Sequence, residues 1–218
     1  GIGKNSISTD LYTRYIYHRI FSRDYIHSTR DEKTKDFLES IGLKAINTGC
    51  PTLWGLTDDL CRKIPHYRKK KVIFTLTYNN TSPEDKILVD ILSSEYDELY
   101  FWVQGYGDLD YLKKLTDIRK IHIIGHSLYN YEYIMKSDVE FDYVGTRLHA
   151  GIFAIRHGIR SIIISIDNRA DDMKEIYNLP IIQRNCIKKE LISRINSQFE
   201  TDIHIPIDKI ERWKEQFR

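Results

Sequence analysis

The chain has 218 residues, enough for one large domain or two small ones. It is 41% hydrophobic and 29% charged, and its 33 basic and 31 acidic side chains leave a formal charge of only +2. That balance excludes the strong basic excess of a dedicated nucleic-acid binder, and no apolar run approaches the roughly 18 residues of a membrane span.

The three cysteines, Cys50, Cys61 and Cys186, are an odd number without Cys-x-x-Cys spacing. A disulfide framework or structural zinc site is not expected, and a reducing cytoplasm fits best. The opening Gly1-Ile2-Gly3-Lys4 carries no secretory signal pattern, and we expect it to be preceded by the front of a longer protein.

Leu11 to Phe21 reads as a helix, Tyr25 to His27 as a short strand, Lys33 to Ile41 as a helix and Ala45 to Asn47 as a second brief strand. Six of the ten residues from Arg62 to Lys71 are basic, which reads as a solvated linker between two α/β units. Beyond it, short β-branched runs alternate with amphipathic stretches. Strands are predicted at Lys71–Thr77, Leu99–Val103, Ile121–Ile124, Phe141–Val144, Ser161–Ile166 and Ile181–Ile182. Between them fall a helix opened by Ser82 and Pro83, then Asp108–Leu115, a helix capped by Ser127, Arg147–Ile155 and Ala170–Tyr177. Two helices close the chain, with buried faces marked by Ile187, Leu191, Ile195 and Phe199, and by Ile210, Trp213 and Phe217.

This alternation predicts an α/β fold built on a doubly wound parallel sheet. Residues 1–65 read as the tail of one α/β unit, and residues 66–218 as a Rossmann-like domain with carboxyl-terminal helices.

In a sheet of order 3-2-1-4-5-6, a ligand crevice opens at the carboxyl ends of strands 1 and 4. Strand 1 there ends in Thr77-Tyr78-Asn79-Asn80-Thr81, and strand 4 in Gly145-Thr146-Arg147-Leu148-His149. The second segment places a hydroxyl, a guanidinium and an imidazole at the start of a helix, whose free N–H groups already favour an anion. Arg147 adds a fork suited to phosphate or carboxylate, and His149 a group that donates hydrogen bonds or moves a proton. The plainer alternative pairs Arg147 with an acid on the sheet and leaves His149 as a satisfied helix-start histidine. Cations at a helix N-terminus break a local rule, which favours function. Asn168-Arg169 falls on the same rim, and Ser28-Thr29-Arg30-Asp31 is a similar strand-to-helix corner in the first unit. Gly105-Tyr106-Gly107 has Asp110 where a dinucleotide fingerprint needs its third glycine, and Asp108 reads as a helix cap rather than a cation ligand. No cofactor or metal motif is present.

At these residues the chain resembles the polysaccharide pyruvyl transferase family. The resemblance rests on Val144 to Ala154, His157-Gly158-Ile159 with the strand to Ile166, Asp167 to Ala170 and Asn178-Leu179-Pro180. His27 to Asp31 and Asn47 to Trp54 look like an earlier motif block, so the likeness runs over most of residues 22–183. It implies two Rossmann-like halves similar to GT-B glycosyltransferases, phosphoenolpyruvate as donor and a pair of saccharide hydroxyls as acceptor. Phosphoenolpyruvate carries close to three negative charges, and Arg147 and Arg30 would meet them from opposite walls of a cleft. Thr146, Asn79, Asn80 and Arg169 are the further substrate-binding candidates. His149 would protonate the methylene carbon of the enol.

The alternatives are a GT-B glycosyltransferase that grips a nucleotide diphosphate, and a glycan-binding module without catalysis. Lys209, Arg212 and Lys214 around Trp213 would also suit peripheral contact with a membrane carrying lipid-linked sugar, although packing within the fold is the simpler expectation.

Overall fold

The computed structural model describes residues 10–218, except for the side chains of Asn168 and Arg169. The chain divides into two compact units, one of residues up to Gly55 together with Ile205–Arg218, the other Leu56–His204. The division falls before residue 56 rather than near 65, and the last helix groups with the amino-terminal residues rather than with the second domain.

The amino-terminal unit begins with α1 (Leu11–Ile20), capped by Asp10, whose carboxylate accepts the Thr13 N–H at 2.6 Å. Strand β1 (His27–Thr29) leads into α2 (Glu32–Ser40), capped in the same way by Asp31, and β2 (Ala45–Asn47) follows. β1 and β2 pair in parallel, with Ser28 opposite Ile46. β1 lies two residues later than the sequence indicated, because pairing follows burial: Thr29 is buried and Tyr25 exposed. Leu38, Ile41 and Leu43 form the local core, with Tyr17, Phe21 and Phe37 packed on it.

The second unit opens with α3 (Asp58–Arg62) and continues as β3 (Lys71–Thr75), α4 (Glu84–Glu95), β4 (Glu98–Trp102), α5 (Asp108–Leu115), β5 (Ile121–Ile124) and α6 (Leu128–Met135). Then come β6 (Phe141–Gly145), α7 (Leu148–Arg156), β7 (Ser161–Ser165), α8 (Asn168–Tyr177), β8 (Ile181–Gln183) and α9 (Ile187–Asn196). The strands form one sheet in the order β5-β4-β3-β6-β7-β8, every pair parallel. This is the doubly wound arrangement, with its switch point between β3 and β6.

Every residue of β6 and β7 is buried, as are Val72 to Thr75 of β3, which is why these strands read as unbroken apolar runs. One face of the sheet presents Val72, Phe74, Val144, Ile162 and Ile164 to Leu88 and Leu92 of α4 and to Leu191 and Ile195 of α9. Each such side chain contributes roughly 1.5–3 kcal/mol by leaving water. On the other face α7 lies close to β7, since a Cβ on Gly151 would stand 2.4 Å from Ile163 Cγ1.

Two local readings are corrected. Pro83 occupies the cap position of α4 rather than its first turn. The basic stretch is no linker between units: Arg68, Lys69 and Lys71 pair with Glu95, Glu140 and Glu98 at 2.9, 2.7 and 2.8 Å within the second unit.

Arg160 and Asp142 form an ion pair, each 1% exposed, with Nη1 donating to the carboxylate at 2.8 Å. The Tyr96 hydroxyl donates to the same oxygen, while Arg160 Nη2 donates to the carbonyls of Arg194, Ile195 and Ser197 and so closes the end of α9. Burial pushes the Asp142 carboxyl up to about 6, against the opposing pull of Arg160 and Tyr96.

The last helix, α10 (Ile207–Glu215), packs inside the amino-terminal unit. The Trp213 indole donates to the Ile26 carbonyl at 2.9 Å and lies 5.6 Å from the Trp54 ring, so it is spent on packing. Among the described residues, no helix is long and apolar enough to cross a membrane.

Candidate active site

At the switch point, β3 and β6 run side by side with Thr75 opposite Gly145. A Cβ on Gly145 would stand 2.3 Å from Thr75 Oγ1 and 2.8 Å from the Thr75 nitrogen, so the closeness of the two strand ends requires glycine. The Thr146 N–H then reaches the Thr75 carbonyl at 3.1 Å, and the hydroxyls of Thr77 and Thr146 meet at 2.9 Å. Tyr143 bonds through its hydroxyl to Thr75 Oγ1 at 2.7 Å and to the Arg147 carbonyl at 3.0 Å. This buried lattice fixes the point at which α7 begins.

Arg147 is the cap residue of α7 and supplies no capping oxygen. The first turn of the helix, which carries His149, therefore opens on a cleft of about 390 Å³ at the carboxyl end of the sheet. The cleft gathers Asn79, Asn80, Thr146, Arg147 and His149 from the predicted set, and adds Thr77, Gln104 and Asp167. Orphan N–H groups and the positive end of the helix dipole suit such a cleft to an anion.

Arg147 is not an unpaired cation. Its Nη2 donates to both oxygens of Asp108 at 2.7 and 2.9 Å, and its Nε to the Leu76 carbonyl at 3.1 Å. Asp108 is fully buried, accepts also from Gly105 N–H at 2.6 Å and Tyr78 N–H at 3.2 Å, and belongs to the first turn of α5 with Gly107 at the cap. It is therefore the anchor of Arg147 rather than a helix cap. Among the described residues, Nη1 is the guanidinium nitrogen left without a partner. The plainer alternative, pairing with an acid, holds for one edge of the fork: that edge is held, its charge balanced by Asp108 of α5 rather than by an acid on the sheet, and the other edge is available. The Gly105–Gly107 pair serves close packing, because a Cβ on Gly107 would stand 2.5 Å from the Tyr78 ring.

The remaining candidates divide. Asn79 is exposed at the cleft rim and His149 is exposed in the first turn of α7. Thr146 is 2% exposed, with its hydroxyl engaged by Thr77. The Asn80 amide is spent inside the protein, accepting from Arg184 at 3.1 Å and donating to the Ile166 carbonyl at 3.2 Å. Arg30 follows β1 in the amino-terminal unit. Arg169 falls at the start of α8, and its side chain lies outside the described residues. The sequence marks Asp108 as a cap and not as the partner of Arg147, and Gln104 carries no sequence signal.

No curated protein and no solved structure matches the chain. A family model does match, over residues 5–168, and its description is polysaccharide pyruvyl transferase. The matched stretch covers well over half of the sequence and holds both sides of the switch point, including β3, β6 and the first turn of α7. On that extent of agreement, the chain belongs to the polysaccharide pyruvyl transferase family.

Proposed function

We propose that the protein transfers a pyruvyl group from phosphoenolpyruvate onto two hydroxyls of a saccharide, closing a ketal and releasing phosphate. The observation that carries this reading is the meeting, in one cleft of a family member, of the first turn of α7, the held arginine and His149. The α7 N–H groups and Arg147 Nη1 receive the phosphate and carboxylate oxygens. Each charge-assisted hydrogen bond contributes about 1.5–3 kcal/mol, so two or three cover the roughly 5 kcal/mol of sub-millimolar binding.

His149 gives its proton to the methylene carbon, which becomes a methyl group, and leaves an oxocarbenium-like centre at the carbon bearing the phosphate. One saccharide hydroxyl attacks that carbon. The C–O bond to phosphate then breaks, and the second hydroxyl closes the ketal. Of the two hydroxyl protons, one replaces the proton used by His149 and the other leaves with phosphate, so atoms and charge balance. Phosphoenolpyruvate, the saccharide and release of inorganic phosphate account for the whole reaction without a resident cofactor.

The test is incubation with phosphoenolpyruvate and a panel of oligosaccharides in D2O, followed by ³¹P and ¹H NMR. The expected result is phosphate release matched by a singly deuterated methyl group on the saccharide. Sugar transfer from a UDP-sugar, with phosphoenolpyruvate untouched, would overturn the reading in favour of a nucleotide-sugar glycosyltransferase.

A further inference from the structure

A third buried carboxylate, Asp85 in the first turn of α4, is fully enclosed and shares no partner with Asp108 or Asp142. It accepts from Arg184 Nε at 3.0 Å and Nη2 at 2.5 Å, from the Tyr111 hydroxyl at 2.7 Å and from the Ser82 N–H at 3.3 Å. A carboxylate buried so deeply needs donors of this number and strength. Arg184 follows β8, beyond the stretch matched by the family model, and its side chain is 12% exposed. It reaches on to Asn80, with Nη1 donating to Oδ1 at 3.1 Å and Nη2 to the backbone carbonyl at 2.6 Å. Asn80 in turn donates to the Ile166 carbonyl, just after β7.

Sheet order gives this chain of bonds its meaning. β6 separates β3 from β7, so the link from Asn80 to Ile166 passes across the end of β6, where α7 starts. Asn80 and Ile166 both line the cleft, as do their neighbours Asn79 and Asp167.

We propose that Arg184, held by Asp85, is a positioning residue that sets the spacing between the loop after β3 and the loop after β7 on either side of the α7 N-terminus. The proposal deepens the functional reading above, and rests on it where phosphoenolpyruvate is the probe. Arg184 touches no substrate. Its charge is met by Asp85, so it acts as a strut between the ends of β3, β7 and β8 and not as a cation for the ligand. Lysine cannot replace it, because one ammonium cannot hold Asp85 bidentately and also reach both acceptors of Asn80. Misplacement of a binding group by about 1 Å costs up to about 10²-fold in rate.

The experiment uses the full chain as wild type, Arg184→Met, Arg184→Lys, Asn80→Ala and the Asn80→Ala/Arg184→Met double variant, well below their unfolding temperatures. Hydrogen exchange of the residue 78–82 amides is read first, and it needs no ligand. Exchange about tenfold faster or more in both Arg184 variants is expected, with the β7 amides unchanged. The dissociation constant for phosphoenolpyruvate is read second. It should rise by about tenfold or more in each single variant, and the double variant should be no worse than Asn80→Ala alone. Unchanged exchange in the loop would overturn the proposal. So would a lower melting temperature with unaltered phosphoenolpyruvate affinity, or effects that multiply in the double variant. Failure of the wild type to bind phosphoenolpyruvate would overturn the functional reading instead, and the exchange result would then decide the strut by itself.

Discussion

Replacement of Asp108 is the sharpest test of how the cleft is built. Asp108→Ala removes the buried partner of Arg147 and the acceptor of the Gly105 and Tyr78 N–H groups. Breaking a buried pair by deleting one member costs about 3–5 kcal/mol, and a stranded buried N–H about 1–3 kcal/mol more. Arg147 keeps a side-chain exposure of 20%, which lets the guanidinium recover part of its hydration. The expected net loss is therefore about 4 kcal/mol, within the range for a broken buried pair. Arg147→Met leaves Asp108 with its two backbone donors and should cost about 3 kcal/mol by the same argument. The double variant carries neither orphaned charge and should fall short of the sum by about 2 kcal/mol. Urea denaturation followed by circular dichroism measures all three, and each kcal/mol corresponds to about 2–4 °C in melting temperature for a chain of this size. Single variants within about 1 kcal/mol of wild type, or costs that add to within about 0.5 kcal/mol, would refute the anchoring role.

Other consequences follow from individual contacts. His149→Ala should lose about 10²–10⁴-fold in kcat while keeping phosphoenolpyruvate affinity within about threefold, and lost binding with normal turnover would reassign His149 to the phosphate. Gly145→Ala forces a methyl group against the Thr75 hydroxyl and backbone, and should cost about 1–3 kcal/mol in urea melts; a change under about 0.5 kcal/mol would contradict the close strand approach. Because burial raises the Asp142 carboxyl from about 4 to about 6, protonation favours the folded state. That contribution is complete below pH about 4 and lost as pH rises through about 6. Stability should thus decline more steeply over that window in wild type than in Asp142→Asn, and equal slopes would show that Asp142 does not titrate there.

Strands β3, β6 and β7 were legible because they are buried on both faces, which forces continuous apolar runs with few competing interpretations. Glycine at 145 and the polar run behind it marked the switch point for the same reason: a tight strand end followed by a helix start leaves a recognisable order of residue types. The short β1 was misplaced because three residues of pairing leave little periodicity to read. The partners of Arg147 and Asn80 were not legible. Asp108 and Asp85 each sit in the first turn of a helix, where acids are common, and nothing local shows that one is buried against an arginine 39 residues away and the other against one 99 residues away. The same holds for Arg160, whose acceptors are Asp142 of β6 and carbonyls at the end of α9. Long-range charge pairing is a property of the folded sheet order, and it puts one edge of Arg147 on Asp108 and ties Asn80 to Arg184.

The most direct measurement of the central claim is a thermal-shift titration of the full chain with phosphoenolpyruvate and, separately, with UDP. A ligand at about 100 times its dissociation constant stabilises a protein by about 2.7 kcal/mol, well above detection. Stabilisation by phosphoenolpyruvate and none by UDP is the predicted result. Stabilisation by UDP with no response to phosphoenolpyruvate would contradict the account and assign the α7 cleft to a nucleotide diphosphate.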